Sequence, residues 1–262
     1  MKSIYPTTLF HFTTKDWLYA ILKDSFGVSY AKEKIESPNG TAEFGVPMVS
    51  FCDLRLTELK TFVGYKVDGS PLKYGNFGIG LTKDWANKNG LNPVWYVNRH
   101  SSVMDHMMAG VQTVSRLVDQ TIHPNIDHQL RVTQNNMMNT YRYIKNYRGT
   151  LERRGQQPVA DYPFADEREW RFVPSIEDRS ILAFVGKRMI DTETKKKKLN
   201  ASAAHIKLTF KPEDIKYLIV EHDSDIIDLV NHLNRVKSKF DRNTVRRLTS
   251  RILTADQIHD DV

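Results

Sequence analysis

The first clear period in the chain is that of a strand. Residues 7 to 13, TTLFHFT, alternate so that Leu9, His11 and Thr13 share one face and Phe10 and Phe12 the other. Phe10 and Phe12 read as core anchors, which leaves His11 and Thr13 facing something polar. Trp17, Leu18, Ile21 and Leu22 then recur at helical spacing, with Thr14 as the predicted cap and Gly27 as the stop. Residues 28 to 45 carry Tyr30, Pro38, Gly40 and Gly45 and read as a loop with at most one short helix. VPMVSFCDL is apolar nearly throughout, as expected of a strand covered on both faces. A short helical piece follows at Leu56 to Val63, then a turn-rich link from Gly64 to Gly75. FGIGL reads as a strand, Asp84 to Lys88 as a short polar helix, Asn89-Gly90 as a turn and VWYV as a further strand.

From Ser101 to about Gly155 the chain becomes rich in Met, Arg, Gln and Asn with helical periodicity, and His123-Pro124 divides it into two helices. A loop from Gln156 to Asp161 leads to EREWRFVP, residues 167 to 174, read as a strand that Pro174 ends. Glu167, Glu169 and Arg171 then form a charged row on one face, with Trp170 and Phe172 on the other and Trp170 assigned to the core. Beyond it Ile181 to Val185 reads as a strand and Asp191 to Asn200 as a charged loop. HIKLTF and YLIV read as strands joined by the turn Lys211 to Asp214, Asp225 to Val236 as a helix, and Asn243 to Ile258 as a last basic helix. With no internal repeat and no dividing linker, the expectation is one α+β domain over residues 1–262. It carries a helical insertion at about 101–155 and a basic helical tail at about 241–262.

Composition narrows the chemistry. The one cysteine, Cys52, excludes an internal disulfide and a multi-thiolate metal site, and its apolar surroundings suggest an inert buried thiol. The net charge of +7 makes nucleic acid a candidate partner, although Lys195 to Lys198 and the arginines near the C-terminus read equally well as solvated surface. No apolar run approaches the roughly 20 residues of a membrane span and the start lacks a signal-peptide pattern, so a cytoplasmic protein is expected. The histidines are scattered without an H-E-x-x-H, so no metal is expected, and neither G-x-S-x-G nor a Walker A loop is present.

What remains is a histidine on an early strand, an arginine after an apolar strand and a late pair of carboxylates. LFHFT followed by a helix, the apolar strand before Arg55, and EREWRFVP together resemble the ADP-ribosyltransferase superfamily, with LFHFT similar to its H-x-T form of the first motif. The resemblance implies a split β-sheet core, NAD as co-substrate, and transfer of ADP-ribose to a macromolecule, nucleic acid favoured. It implies Glu169 as the catalytic carboxylate, Arg55 on the pyrophosphate or the acceptor, and Glu167 as acceptor-orienting group or base. His11 and Thr13 would hold the adenosine-side ribose. Ser50, on the apolar strand, and Tyr30, Tyr74 or Tyr96, as stacking partners of nicotinamide, complete the implied cofactor set. The chemistry is coherent, because loss of neutral nicotinamide needs no general acid and a carboxylate beside the sugar stabilises an oxocarbenium-like transition state.

More narrowly, GVPMVSFCDLRL, YGNFGIGLTKDWANKNGLNPVWYV and EREWRF are similar to the abortive phage resistance protein AbiGi family over most of residues 7 to 174. That family is described as an antitoxin, so the resemblance implies an antiphage role and an alternative in which the chain is a non-catalytic binding partner of a toxin. Plain structural roles compete at each residue: His11 as a satisfied strand histidine, Arg55 paired with Asp53 or Glu58, and Glu167 with Arg171 as an ion pair on one face.

Overall fold

The structure is a computed structural model and describes residues 5–60, 75–152, 157–237 and 240–261. β1 (Thr8–Thr13) and α1 (Lys15–Asp24) form where the alternation and the apolar stripe place them. The short β2 (Phe26–Gly27) leads into β3 (Ser29–Ser37) and the 13-residue β4 (Gly40–Cys52). α2 (Leu56–Leu59), β5 (Phe77–Thr82), α3 (Lys83–Lys88), β6 (Asn92–Pro93) and β7 (Trp95–Val97) follow. Two long helices, α4 (Val103–Gln120) and α5 (Pro124–Tyr141), precede β8 (Ile144–Asn146), β9 (Gly149–Leu151) and β10 (Val159–Tyr162). A 3₁₀ turn at Phe164–Glu167 enters β11 (Glu169–Phe172), and β12 (Val185–Gly186), α6 (Glu193–Ser202) and β13 (Lys207–Leu208) come next. β14 (Ile215–Val220), α7 (Ser224–Val236), α8 (Arg242–Thr249), β15 (Ile252–Thr254) and α9 (Ala255–Asp261) complete the described chain.

The result is a mixed α+β fold on one nine-stranded sheet, ordered β15-β14-β5-β1-β4-β11-β6, with β3 and β12 paired to the first half of β4. β4 is therefore the strand that joins the two parts of the sheet, since its N-terminal half serves β3 and its last residues serve β11 and β1. The contact with β1 is a single pair, Phe10 with Cys52. Parallel pairing needs a long crossover, and both parallel pairs among the described residues have one made of two helices. α4 and α5 carry the chain from β7 to β8, and α7 and α8 carry it from β14 to β15.

The two faces of β1 enter different cores, as its alternation requires. Leu9 joins the larger cluster with Leu18 and Leu22 of α1 and Leu229 and Leu233 of α7. Phe10 and Phe12 join a smaller one with Leu59 and Ile258. FGIGL is glycine-punctuated because β5 lies directly against β1: a Cβ at Gly78 would stand 2.8 Å from the Phe12 ring, and one at Gly80 2.8 Å from the Phe10 ring.

Four readings of the sequence are corrected here. Residues 28–45 are the β3–β4 hairpin, in which Glu33 and Ile35 are buried in alternation and Tyr30 is buried on the other face, and the charged residues among them concealed the period. The expected loop at Asp191 to Asn200 is α6, because Glu, Lys and Leu are good helix formers and the Thr192 side chain caps it by accepting from the Lys195 amide. The insertion at 101–155 is not helical to its end, since β8 and β9 lie within it. The tail at 241–262 is not a single solvated helix but α8, β15 and α9, with Val245, Leu248 and Ile258 buried. Among the described residues no helix is long and apolar enough to cross a membrane.

Gly78→Ala and Gly80→Ala should each cost about 1–3 kcal/mol by overpacking against the Phe rings. Urea unfolding measures this, and unchanged midpoints would show that the rings are free to yield.

Candidate functional site

EREWRFVP does not run as one strand. Glu167 ends the 3₁₀ turn and Arg168 takes the left-handed conformation (φ 42°, ψ 52°), so β11 begins only at Glu169. Glu167 therefore reaches the same neighbourhood as Glu169 by a different backbone route, and the shared strand face predicted for the two does not exist. Across the ladder Glu169 is opposite Cys52 and Arg171 opposite Ser50, so these four side chains share one face of the sheet.

That face is buried rather than open to solvent. Arg171 is fully buried, and Glu33, Glu167 and Glu169 are all buried around it. Arg171 donates from Nε to Glu169 Oε1 (2.7 Å) and from Nη2 to Glu169 Oε2 (3.1 Å) and Glu33 Oε1 (3.0 Å). Its Nη1 donates to the Arg142 carbonyl (3.0 Å). Lys145, from β8, donates to Glu169 Oε2 (2.9 Å) and Glu167 Oε2 (2.8 Å). Ser50 Oγ donates to Glu169 Oε1 (2.8 Å). A carboxylate offers about four acceptor positions, and all those of Glu169 are in use.

The titration behaviour follows from these contacts. Burial alone would raise Glu169, but Arg171 and Lys145 hold its carboxyl far below the usual range. Lys145 is raised against its own burial by Glu169, Glu167 and Glu33. Glu33 goes the other way, because burial outweighs the Arg171 contact and pushes its carboxyl up. Burial also pushes the Cys52 thiol up, consistent with the inert thiol expected from its surroundings.

A cavity of ≈ 260 Å³ adjoins this cluster, and His11, Ser50, Glu167 and Glu169 line it together with Glu33 and Lys145. Four of the residues chosen from the sequence are thus brought to one place. They do not all share a face. Phe10, Cys52 and Glu169 are directly opposite one another, so the alternation of β1 sets His11 on the other side of the ladder. Beyond the single Phe10–Cys52 pair, His11 donates from Nδ1 to the Ser50 carbonyl (2.8 Å), and its ring packs against Phe26 and Phe51 at centroid distances of 5.2 and 5.6 Å. His11 therefore faces aromatic rings, not the polar surroundings its alternation suggested, and burial lowers its pKa.

The remaining candidates stand elsewhere. Arg55 is exposed at the start of α2, where its backbone N–H donates to Glu58 Oε2 (2.8 Å), and it does not line the cavity. Thr13 is half-buried at the end of β1, outside the lining. Tyr30 is fully buried and donates its hydroxyl to the Leu182 carbonyl (2.7 Å), so its ring is not offered to a ligand. Tyr96 accepts from the Glu169 amide through its hydroxyl (2.8 Å). Tyr74 lies outside the described residues. Trp170, assigned to the core, packs against the larger core cluster while staying half-buried. Sequence reasoning missed Glu33 and Lys145: the first lay in a stretch read as loop, the second in one read as helix. Among the described residues no three or more His, Cys, Asp or Glu side chains are grouped so that they could hold a metal ion.

These features define an α+β protein built around an internal ion cluster, with a small cavity where its candidate residues meet. The model of the family described as "Putative abortive phage resistance protein AbiGi, antitoxin" matches residues 24–221, and the chain belongs to that family. It is also similar to the abortive phage resistance protein AbiGi of Lactococcus lactis subsp. cremoris, with 28% identity over 231 residues, 84% of this chain and 90% of the relative. No solved structure matches the chain.

Removing one member of a buried ion pair strands the other, at about 3–5 kcal/mol. Arg171→Leu should lose stability of that order in urea unfolding, while Glu33→Gln should cost clearly less, because Glu33 already holds its charge against burial. Stability should also fall on acidification. The folded pKa of His11 lies below its ordinary 6.5 and that of Glu169 below its ordinary 4.5, so the folded state binds fewer protons than the unfolded one. The His11 contribution is present above about pH 6.5 and lost as pH falls through its lowered folded value, and the Glu169 contribution follows below about pH 4.5. Glu33, whose folded value is raised, opposes this, since its contribution is lost as pH rises through that value. Urea midpoints should drop between about pH 7 and pH 5.5, and His11→Gln should flatten that part of the profile.

Proposed function

We propose that this chain acts in abortive phage resistance as a binding protein, the antitoxin partner of a cognate toxin, and not through chemistry at Glu169. The observation that carries this reading is the saturation of Glu169: Arg171, Lys145 and Ser50 occupy its acceptor positions, leaving none for ribose hydroxyls. The size of the cavity agrees with it, since ≈ 260 Å³ is below the roughly 300–1,000 Å³ of sites that enclose drug-sized ligands, and a dinucleotide is larger still. The family description as an antitoxin supports the same reading. So does the α4–α5 pair, which leaves Leu117, Ile122, Ile126 and Val132 exposed, Ile122 at 90%, as apolar surface suited to another protein.

A second reading has an observation of its own. His11, Ser50, Glu167 and Glu169 line one cavity, the arrangement implied by an NAD-dependent ADP-ribosyltransferase with a nucleic acid acceptor. One experiment separates the two. Co-expressed with a candidate toxin from its own host, the chain should restore growth to cells that the toxin alone arrests. The purified protein should transfer no label from labelled NAD to RNA, DNA or that toxin. Label transfer that Glu169→Gln abolishes in a folded variant would replace the first reading with the second.

A further inference from the structure

The opposite face of the same sheet carries a larger opening. A cleft of ≈ 860 Å³ lies where Trp170 of β11, the β6–β7 segment, the start of α3 and the chain before β1 meet. Its volume is within the range of small-molecule sites, about 300–1,000 Å³. Aromatic rings wall it: Trp170 is half-buried, Tyr5 is exposed and Tyr96 is half-buried. Asp53 and Lys83 stand together among them, with Lys83 Nζ 2.6 Å from Asp53 Oδ2, 5.3 Å from the centre of the Trp170 ring and 5.7 Å from that of Tyr5.

Asp53 is the informative residue. It is only 6% exposed, yet its Oδ1 is buried without a hydrogen-bond partner. A buried carboxylate oxygen left unsatisfied is uncommon and calls for a donor. The backbone fixes it in place: the Asp53 amide donates to the carbonyl of Arg168 (3.1 Å), the residue held in the left-handed conformation. Strain of this kind in a non-glycine residue concentrates at functional sites. Arg168 is anchored in turn on Glu58 by two bonds of 2.6 and 3.0 Å.

An acceptor beside a cationic donor, set between aromatic walls, matches the edge and face of one class of ligand. Every nucleobase offers a hydrogen-bond donor next to an acceptor along its pairing edge and a flat ring to stack. Lys216, exposed on the rim, supplies a cation for a phosphate. We propose that this cleft binds a nucleobase presented as a nucleotide, with Asp53 and Lys83 on the base edge, Trp170 against the ring and Lys216 toward the phosphate. The source of the base is either a free mononucleotide or a single-stranded nucleic acid. Glu169 borders both this cleft and the cavity on the other side of its strand, and the proposal does not rest on the antitoxin reading.

Isothermal titration of the full chain with AMP, CMP, GMP and UMP, with a short single-stranded RNA, and with ribose 5-phosphate tests it. Saturable binding of mononucleotides with none of ribose 5-phosphate is expected for free nucleotide, and binding of the oligonucleotide alone would identify single-stranded RNA as the source. In either case Trp170→Leu and Asp53→Asn should each weaken binding about tenfold or more. Lys216→Glu, at an exposed position where folding is not at stake, should weaken nucleotides but not the corresponding nucleosides. The proposal is overturned if no base-containing probe binds, or if binding is the same in folded Asp53→Asn, Trp170→Leu and Lys216→Glu variants.

Discussion

The buried guanidinium of Arg171 is the constraint on which the rest of this architecture turns. A cation that has lost its water must find its partners inside the protein, and Arg171 finds them on Glu169 of its own strand, Glu33 of β3 and the carbonyl that follows α5. Glu33 lies 138 residues from Arg171 in sequence and the Arg142 carbonyl 29. The hairpin β3–β4, the short β11 and the return from the helical crossover are therefore pinned at one point. Lys145 extends the same logic to β8, because its ammonium is the second charge that Glu169 and Glu167 require. Exchanging such a cluster for apolar side chains is often neutral or stabilising, so its value lies less in net stability than in the arrangement it enforces.

Much of this was legible where the sequence obeys one period. β1, α1, the apolar half of β4 and α7 follow directly from spacing, because apolar side chains on one face and polar ones on the other leave a single way to pack. Legibility failed where charge is part of the interior. Glu33 and Ile35 are buried on one face as a strand's period requires, but Lys32, Glu33 and Lys34 read as surface until Glu33 is seen beneath Arg171. Lys145 was concealed by its surroundings, a three-residue strand at the end of a long helical stretch. The left-handed turn at Arg168 has no signature, since arginine is an unusual occupant of that conformation, and it is this turn that separates Glu167 from the strand.

The two faces of β11 illustrate how alternation distributes chemistry. Glu169 and Arg171 point into the ion cluster, while Trp170, between them, points to the cleft shared with Lys83 and Asp53. One four-residue strand thus borders a small cavity with a saturated carboxylate on one side and a larger cleft on the other. The contrast is electrostatic as much as geometric. Every oxygen of Glu169 has a donor, whereas Asp53 keeps one buried oxygen without any.

For Glu169 to meet a ligand, one of its present donors has to leave, and they are not equally held. Arg171 is fixed by bonds to two carboxylates and a backbone carbonyl, and its removal would uncover Glu33 as well. Lys145 is held by two carboxylates, rests over the Phe164 ring at 4.8 Å, and sits on a three-residue strand that pairs with β7. It also lines both the cavity beside Glu169 and a second one of ≈ 420 Å³ toward β9. Glu33 borders both spaces as well, and of the two it is Lys145 that donates to Glu169. A ligand reaching Glu169 from the β8 side would therefore have to displace Lys145 first, while the Arg171 pair could stay whole.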